Sequence, residues 1–361
     1  MAALVAAPAA AQAPGGEAAV GVGTVVESYV FADPGAAGIA SIVLVTTPFA
    51  ARAELPYGVG VEMAGAWARG ALQRRGGTLA HLSGLTDTHL RVWRTFGRDR
   101  LTLALIAQLP TGHARHTAAE AEVADAVAAD LLPFRVSNWG TGGGVGMSAA
   151  YAARVAGFGV GASAGYVRAG RFEPFAEAAD DAAYRPGDET VLRVAADRTV
   201  GRSGKAGVQA TWQHYAEDRF AGRNLYRAGD RLQVVASYRA GVGPATGVVY
   251  GGVLHREDGT SLDLAAPGTP VQDLWLGGAA ARFAFGWGAI TPGVEGRLFR
   301  SGDGRGQGWF GGVGATAEIE ARRFILLPTA RLRLGEVVVD DDADTGFTGV
   351  ELGLTVRRSL R

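Results

Sequence analysis

One segment of the chain, residues 113–135, concentrates acidic side chains at helical spacing. Thr117 is followed three residues later by Glu120, the pattern of a helix capping box, and Ala, Glu and Val make up most of residues 118–129. Strong helix formers after such a start predict a helix. Its carboxylates would attract cations, although the pattern is equally typical of a solvated surface helix. The acidic residues are Glu120, Glu122, Asp125 and Asp130.

Histidines could supply metal or nucleophile chemistry at two places. His113 and His116 precede the helix, and imidazoles and carboxylates such as that of Glu120 are groups that bind Zn²⁺. The spacing of these three residues is poor for a metal site. We therefore predict no metal and no cofactor. His255 is close in sequence to the acids and the serine of residues 257–261, as a lipase or protease would need. No histidine has a serine and an acid at a recognised spacing, so we predict that the protein is not an enzyme and keep that enzyme as an alternative.

The composition restricts the fold that could position these groups. The 361 residues contain 55 Gly, no Cys, only 19% charged residues, and equal numbers of basic and acidic side chains. No run of 18 apolar residues occurs, which excludes a helical membrane protein. The hydrophobic content of 48% argues against disorder, the lack of Cys excludes a disulfide scaffold, and the neutral charge argues against nucleic-acid binding.

Alternation of apolar and polar residues runs through most of the chain. In residues 101–109, Leu101, Leu103 and Leu105 share one face, whereas Thr102 and Gln108 belong to the other. Such segments of about ten residues are typical of membrane barrel strands. We expect sixteen, with fourteen as the alternative: 19–31, 38–52, 57–69, 85–96, 100–110, 143–155, 157–168, 189–200, 205–217, 231–241, 245–256, 273–285, 289–300, 308–320, 323–339 and 346–360.

The connections between these segments alternate in length. Tight turns alternate with long connections, of which the longest are 111–142, 169–188, 218–230 and 257–272. This alternation predicts an all-β fold, a transmembrane antiparallel up-and-down β-barrel with short periplasmic turns and long extracellular loops, in the bacterial outer membrane. The acidic helix then belongs to a loop that could fold into the barrel mouth and narrow it.

Charged residues on the small, polar face of the strands would line a water-filled lumen. Arginines on the last strands could form a cationic wall opposite the glutamates, or could simply pair with them between strands. The predicted pore-lining residues are Glu62, Asp87, His89, Arg91, Arg239, Arg282, Glu295, Arg297, Glu318, Arg331, Arg333, Glu351 and Arg357.

Aromatic residues collect near the segment ends, as the interfacial girdles of a membrane barrel would require. Ordinary strand propensity would also place aromatics there. The candidates are Tyr29, Phe31, Phe49, Tyr57, Phe96, Trp275, Phe283, Phe285, Trp287, Trp309 and Phe310.

Residues 84–112 carry a resemblance to a known family. Gly84-Leu-Thr-Asp87 opens a strand, and a second, apolar strand ends in Leu109-Pro-Thr-Gly112. The stretch resembles outer-membrane barrels of the meta-pathway phenol-degradation type, which are distantly related to long-chain fatty-acid transporters. The resemblance implies passage of small hydrophobic or aromatic molecules. The chain departs from such barrels by ending in Leu360-Arg361 instead of an aromatic residue, and by having no room for an N-terminal plug.

The N-terminus resembles the end of an export signal. Residues 1–13 are rich in Ala and end in Ala11-Gln12-Ala13, a pattern that signal peptidase cuts; a disordered tail is the alternative. We expect a signal remnant at 1–13, a short periplasmic segment at 14–18 and a single barrel at 19–361.

These patterns favour an outer-membrane channel for passive or facilitated diffusion of small solutes, hydrophobic or aromatic ones included. The alternatives are the barrel enzyme and a plugged structural or adhesive barrel. The expected partners are small-molecule solutes, outer-membrane lipid and lipopolysaccharide, and the barrel assembly machinery, without nucleic acid.

Overall fold

Sixteen strands form one closed antiparallel sheet in a computed structural model, which describes residues 18–97, 99–177, 183–262, 268–304, 307–340 and 343–360. The predicted signal remnant, residues 1–13, lies outside the described residues. The strands are β1 (Ala18–Phe31), β2 (Ile39–Leu55), β3 (Val59–Arg74), β4 (Leu79–Leu85 and Thr88–Phe96), β5 (Leu101–Leu109), β6 (Gly144–Val155), β7 (Phe158–Ala169), β8 (Glu189–Val200), β9 (Gly204–Tyr215), β10 (Arg231–Val242), β11 (Ala245–Arg256), β12 (Gln272–Phe285), β13 (Gly288–Ser301), β14 (Gly308–Ala321), β15 (Phe324–Asp340) and β16 (Ala343–Leu360).

Each strand pairs with its sequence neighbours, and the first pairs with the last. The seam between β1 and β16 runs in unbroken antiparallel register from Ala18 opposite Leu360 to Phe31 opposite Phe347. Pairing the first strand to the last removes the free edges of the sheet. The predicted all-β barrel and its count of sixteen strands are therefore confirmed. One strand, β4, is interrupted at Thr86 and Asp87.

The outward face of the barrel is an apolar band. Alternate residues of β1 and β5, such as Val22, Val30, Leu103 and Leu105, point outward, and Leu105 is 65% exposed. So large an apolar surface is unfavourable in water and suits hydrocarbon. Among the described residues, no helix is long and apolar enough to cross a membrane.

The connections at the two ends of the barrel differ as predicted. The turns at the predicted periplasmic end contain two to four residues, whereas most of the connections at the other end are longer. Parts of three outer connections form a small four-stranded sheet beyond the barrel strands. Its strands are Tyr184–Arg185, Glu217–Phe220, Arg223–Arg227 and Thr260–Ser261.

The hydrophobic core lies inside the barrel, where the connection between β5 and β6 folds inward. This connection, residues 110–143, is called the inward loop. It contains helix α2 (Ala118–Ala128), which follows the four-residue helix α1 (Pro34–Ala37) in chain order. Its apolar residues pack against inward side chains of the first and last strands. The core includes Leu44, Leu72, Leu82, Val123, Val127, Leu132, Phe134 and Trp139.

Three of the predicted girdle aromatics belong to this core. Tyr29, Phe31 and Phe310 point inward and are buried beneath the inward loop. The edge of the Tyr29 ring packs against Phe134, with ring centroids 5.0 Å apart. The girdle prediction was wrong for these three, because segment-end position does not say which face of a strand a residue occupies. The outward candidates Trp275, Phe283, Phe285, Trp287 and Trp309 remain exposed.

Candidate functional site

Asp87 holds both ends of the inward loop. Its carboxylate lies at the break in β4 and is 3% exposed. It accepts hydrogen bonds from Gly112 N (3.0 Å), where the loop begins, and from Thr141 N (2.8 Å), where it ends. Further bonds come from Thr141 Oγ1 and Gln108 Nε2, both at 3.0 Å. Asp87, a predicted pore-lining residue, therefore points inward, but its carboxylate binds the ends of the inward loop and Gln108 and is buried from the lumen.

The threonines around Asp87 complete this junction. Thr111 Oγ1 accepts a hydrogen bond from Thr88 N (2.9 Å) and donates one to Thr86 O (3.0 Å). Thr86 Oγ1 in turn accepts from Ala66 N (3.0 Å) in β3. The two short motifs within residues 84–112 thus meet at one point, where they bind the origin of the loop to the barrel wall.

Helix α2 lies against the inner wall of β3 and β4. Thr117 Oγ1 accepts from Glu120 N (3.3 Å), and the Glu120 carboxylate accepts from Thr117 N (2.9 Å), which completes the predicted capping box. Val123 and Val127 face the wall and are buried. A Cβ added to Gly70 would lie 2.6 Å from Val123 Cγ1, so only Gly allows the helix this close.

The acidic residues of the loop have different surroundings. Glu122 pairs with Arg74 of β3, with 2.8 Å between Arg74 Nε and Glu122 Oε2. Asp125 lies on the side of the helix opposite Val123 and Val127, and is exposed. Loss of hydration raises the pKa of Asp125, and the proximity of His116 opposes that rise.

Asp130, just after the helix, reaches the other side of the barrel. Its carboxylate lies 4.0 Å from Arg256 of β11, and its backbone oxygen accepts from Arg297 of β13 (3.4 Å). Burial raises the pKa of Asp130. The loop therefore crosses the barrel from β3 and β4 to β11 and β13.

A network of charges fixes the returning part of the loop to the seam. Arg135 Nη2 lies 2.8 Å from Glu351 Oε1 in β16, and Arg135 N donates to Glu27 Oε2 (3.0 Å) in β1. Glu351 also binds Arg331 (2.9 Å) and Arg333 (2.8 Å) of β15. Charge-assisted bonds of this kind are the stronger ones in proteins.

Arg333 sits deepest in this network. It donates to Glu295 Oε1 (2.7 Å) and to the hydroxyl of Tyr29 (3.1 Å), and its side chain is 3% exposed. Arg297 stacks over the Phe310 ring, 5.7 Å from its centroid. The alternative of charge pairing between strands describes these groups better than an open cationic wall.

The remaining predicted pore-lining residues lie outside this network. Strand pairing places Glu62 of β3 between Arg52 of β2 and Arg91 of β4. The guanidinium of Arg91 stacks on the ring of Trp93, 5.4 Å from its centroid. Arg282 and Glu318 pair at 3.4 Å with both side chains partly exposed. The exposed members are His89, Arg91, Arg239, Arg282 and Arg357.

The inner wall that the loop leaves uncovered carries small and polar side chains. Arg193 Nε donates to Thr211 Oγ1 (3.2 Å), which marks the inward face of β8 and β9. Strand register places Ser163 of β7 opposite Arg193 and Ala150 of β6 opposite Ser163. The small and polar inward residues of this wall include Gly146, Ser148, Ala150, Ala152, Gly159, Gly161, Ser163, Gly165, Gln209, Gln213, Gln233 and Ser237.

Two residues that help to build the site were not predicted from the sequence. Glu27 is buried in a strand that otherwise reads as apolar, and Trp139 donates its indole N–H to Ala68 O (3.0 Å). The alternation does place Glu27 on the face of Val25 and Tyr29, and a lone acid on such a face was the available clue.

The histidine nominated for an enzyme pairs with Asp273 of β12, an acid outside the nominated residues 257–261. His255 Nδ1 lies 2.8 Å from Asp273 Oδ1, and strand pairing places His255 opposite the outward Leu232. Residues Gly161-Ala-Ser163-Ala-Gly165 have the spacing of a nucleophile elbow, but they lie within strand β7 instead of at a strand-to-helix turn.

Comparison with solved structures identifies barrels of similar architecture. The chain is similar to OprB of Pseudomonas putida, with a TM-score of 0.53 and 12% identity, over 95% of this chain and 94% of that chain. OpdQ of Pseudomonas aeruginosa matches with a TM-score of 0.46 and 10% identity, over 96% and 99% of the two chains. A mutant of the Rh. blastica porin matches with a TM-score of 0.40 and 14% identity, over 95% and 100%.

The similarity to OprB concerns the fold. No protein-family model matches the sequence, and no curated protein matches it. The resemblance to the phenol-degradation type of barrel therefore remains restricted to residues 84–112. The closed sixteen-stranded barrel and its apolar outer band are those of an outer-membrane β-barrel.

Proposed function

We propose that the protein is a diffusion channel for small hydrophilic solutes across the outer membrane, with the inward loop as its constriction. One observation carries this proposal. The loop covers the inner wall on one side of the barrel, whereas the wall of β6–β10 keeps small and polar side chains facing the remaining space. Small side chains on that wall leave room for a solute beside the loop.

The lining supports hydrophilic solutes over the hydrophobic ones that the sequence resemblance implies. Gln, Ser and Thr side chains on β7–β10 offer hydrogen bonds to a solute that has lost part of its water. An apolar solute would gain nothing from those groups and would displace the water bound to them. The preference for small hydrophilic solutes follows from this chemistry.

Charges of both signs face the proposed passage. Asp125 projects from the free side of helix α2, and Arg193 lies on the inward face of β8. Fixed charges in a narrow lumen with low-dielectric walls act strongly on passing ions, and salt screens them. Asp125 should therefore favour cations, most visibly at low ionic strength.

Planar-bilayer recording of the purified protein tests the proposal. We expect discrete openings, and we expect Asp125→Asn to shift ion selectivity toward anions. Glu122→Gln is the matched control, because Glu122 lies in the same helix but is paired with Arg74. Absence of openings would favour a plugged structural barrel. If the Asp125→Asn variant opens with unchanged ion selectivity, the constriction does not lie at helix α2.

A further inference from the structure

His113, His116 and Glu120 come together at the start of the inward loop. One nitrogen of each imidazole and one carboxylate oxygen lie within 4.8 Å of one another. These are ligand types that Zn²⁺ takes, at roughly 2.0–2.2 Å. The sequence spacing argued against a metal site, but the turn before helix α2 brings the three side chains to one point.

Two imidazole nitrogens of the cluster lack hydrogen-bond partners. His113 Nε2 and His116 Nδ1 are buried atoms with no hydrogen bond. Glu120 Oε1 lies 3.6 Å from His113 Nε2, which is too long for a hydrogen bond. The other oxygen, Glu120 Oε2, is committed to Thr117 N (2.9 Å) and Thr117 Oγ1 (3.1 Å). A buried polar atom without a partner is costly, and a metal ion would satisfy both imidazole nitrogens and bind Glu120 Oε1 as well.

The backbone fixes each ligand in place. His113 N donates to Leu85 O (3.0 Å) of β4. His116 N donates to Pro174 O (2.9 Å), and His116 O accepts from Ala176 N (2.8 Å), in the connection between β7 and β8. Glu120 is held by the capping box. Ligands on a fixed backbone are preorganised, so little ordering entropy is lost when an ion binds.

The cluster combines two imidazoles with one carboxylate, a set of groups that suits a divalent cation. Burial, and then the neighbouring His113, lowers the pKa of His116. Hydrogen bonds from Thr117 outweigh burial and lower the pKa of Glu120.

We propose that His113, His116 and Glu120 form a binding site for a divalent transition-metal ion such as Zn²⁺, where the inward loop meets the connection between β7 and β8. Three protein ligands leave a coordination position for water or for a donor group of a passing solute. The bound ion would place two positive charges near Asp125 and weaken the cation preference. That consequence rests on the proposed channel, whereas binding itself does not.

Calorimetric titration of the full chain in detergent with Zn²⁺ tests the site. We expect one strong site per chain, lost or weakened at least about tenfold in His113→Gln/His116→Gln, because loss even of an outer-shell partner weakens metal binding by about 10–100-fold. The control His214→Gln/His255→Gln removes two histidines that pair with Asp230 and Asp273. It should bind as the parent protein does.

Glu120→Gln separates metal binding from folding. Gln is accepted at this position of a capping box, so helix α2 should persist while the anionic ligand is lost. Its Zn²⁺ affinity should fall, and the visible absorption of Co²⁺ bound in place of Zn²⁺ should change. The proposal is overturned if the parent protein binds no Zn²⁺, or if the His113→Gln/His116→Gln variant binds it equally well.

Discussion

Arg135 and Glu351 are 216 residues apart in sequence, yet their side chains meet at 2.8 Å inside the barrel. Arg135 belongs to the inward loop and Glu351 to the last strand. The contact therefore joins the inward loop to the strand whose pairing with β1 closes the barrel. Because the Glu351 side chain is only 2% exposed, water has little access to its carboxylate and cannot take the place of Arg135.

Glu351→Gln should destabilise the barrel. The change leaves Arg333 without one of its two carboxylate partners and also weakens the contacts of Arg331 and Arg135. Breaking a buried ion pair from one side costs about 3–5 kcal/mol. Glu318→Gln is the control, because its pair with Arg282 is partly exposed and worth about 0–1 kcal/mol. Urea unfolding in detergent measures both, and equal losses would contradict the network.

Asp87→Asn should loosen the inward loop at its base. An amide cannot accept the hydrogen bonds from Gly112, Thr141 and Gln108 together, and an unsatisfied buried donor costs about 1–3 kcal/mol. We expect trypsin to cut the variant faster at Arg115 and Arg135. Glu62→Gln changes an inward acid of β3 without touching the loop and should be cut like the parent protein.

Gly70→Ala should displace helix α2 from the wall. The new methyl group would overlap Val123, and overpacking costs about 1–3 kcal/mol. Gly161→Ala adds the same methyl group on the uncovered wall, where the nearest atom is Tyr151 O at 3.6 Å. The two thermal unfolding curves should therefore differ. If both variants are equally stable, the helix is not seated against Gly70.

The cation preference of the proposed channel should depend on pH through Asp125. The pKa of this carboxyl is raised, so its charge is complete well above that pKa and disappears as the pH falls through it. Selectivity for cations should therefore decline at higher pH than for an ordinary carboxylate. Reversal potentials at low salt measure this decline, and Asp125→Asn should remove it.

Cysteine labelling should establish which end of the barrel faces the medium. The chain contains no Cys, so a single introduced thiol can be labelled without background. Asp258→Cys, in an outer connection, should react with an impermeant maleimide in whole cells. Ser203→Cys, in the turn between β8 and β9, should not. The opposite result would reverse the assignment of outside and periplasm.

The strand pattern of this barrel is largely readable from the sequence, because lipid and lumen impose opposite demands on alternate residues. All sixteen segments coincide with barrel strands, although β3 extends to Arg74 and β4 begins at Leu79, beyond the predicted bounds. Those extensions lie against the inward loop, so their inward residues contact the loop instead of water. Inward positions there no longer need to be polar, and the alternation of apolar and polar residues that marks a barrel strand disappears.

The site was less predictable, because it depends on contacts between distant segments. The capping box of Thr117 and Glu120 is local and was predicted correctly. That Asp87, Arg333 and Glu351 would be buried follows only from the path of the inward loop, which no local pattern specifies. Likewise, His113 and His116 approach Glu120 only through the turn before the helix.

Arg135 bonds to Glu27 in the first strand and to Glu351 in the last, so it straddles the seam where the two ends of the sheet meet. Both partners are in place only once those strands have paired. Arg135 can therefore make both contacts only in a barrel whose first and last strands are paired. The position of the inward loop and the closure of the sheet are thus thermodynamically coupled, so a change that weakens one should weaken the other.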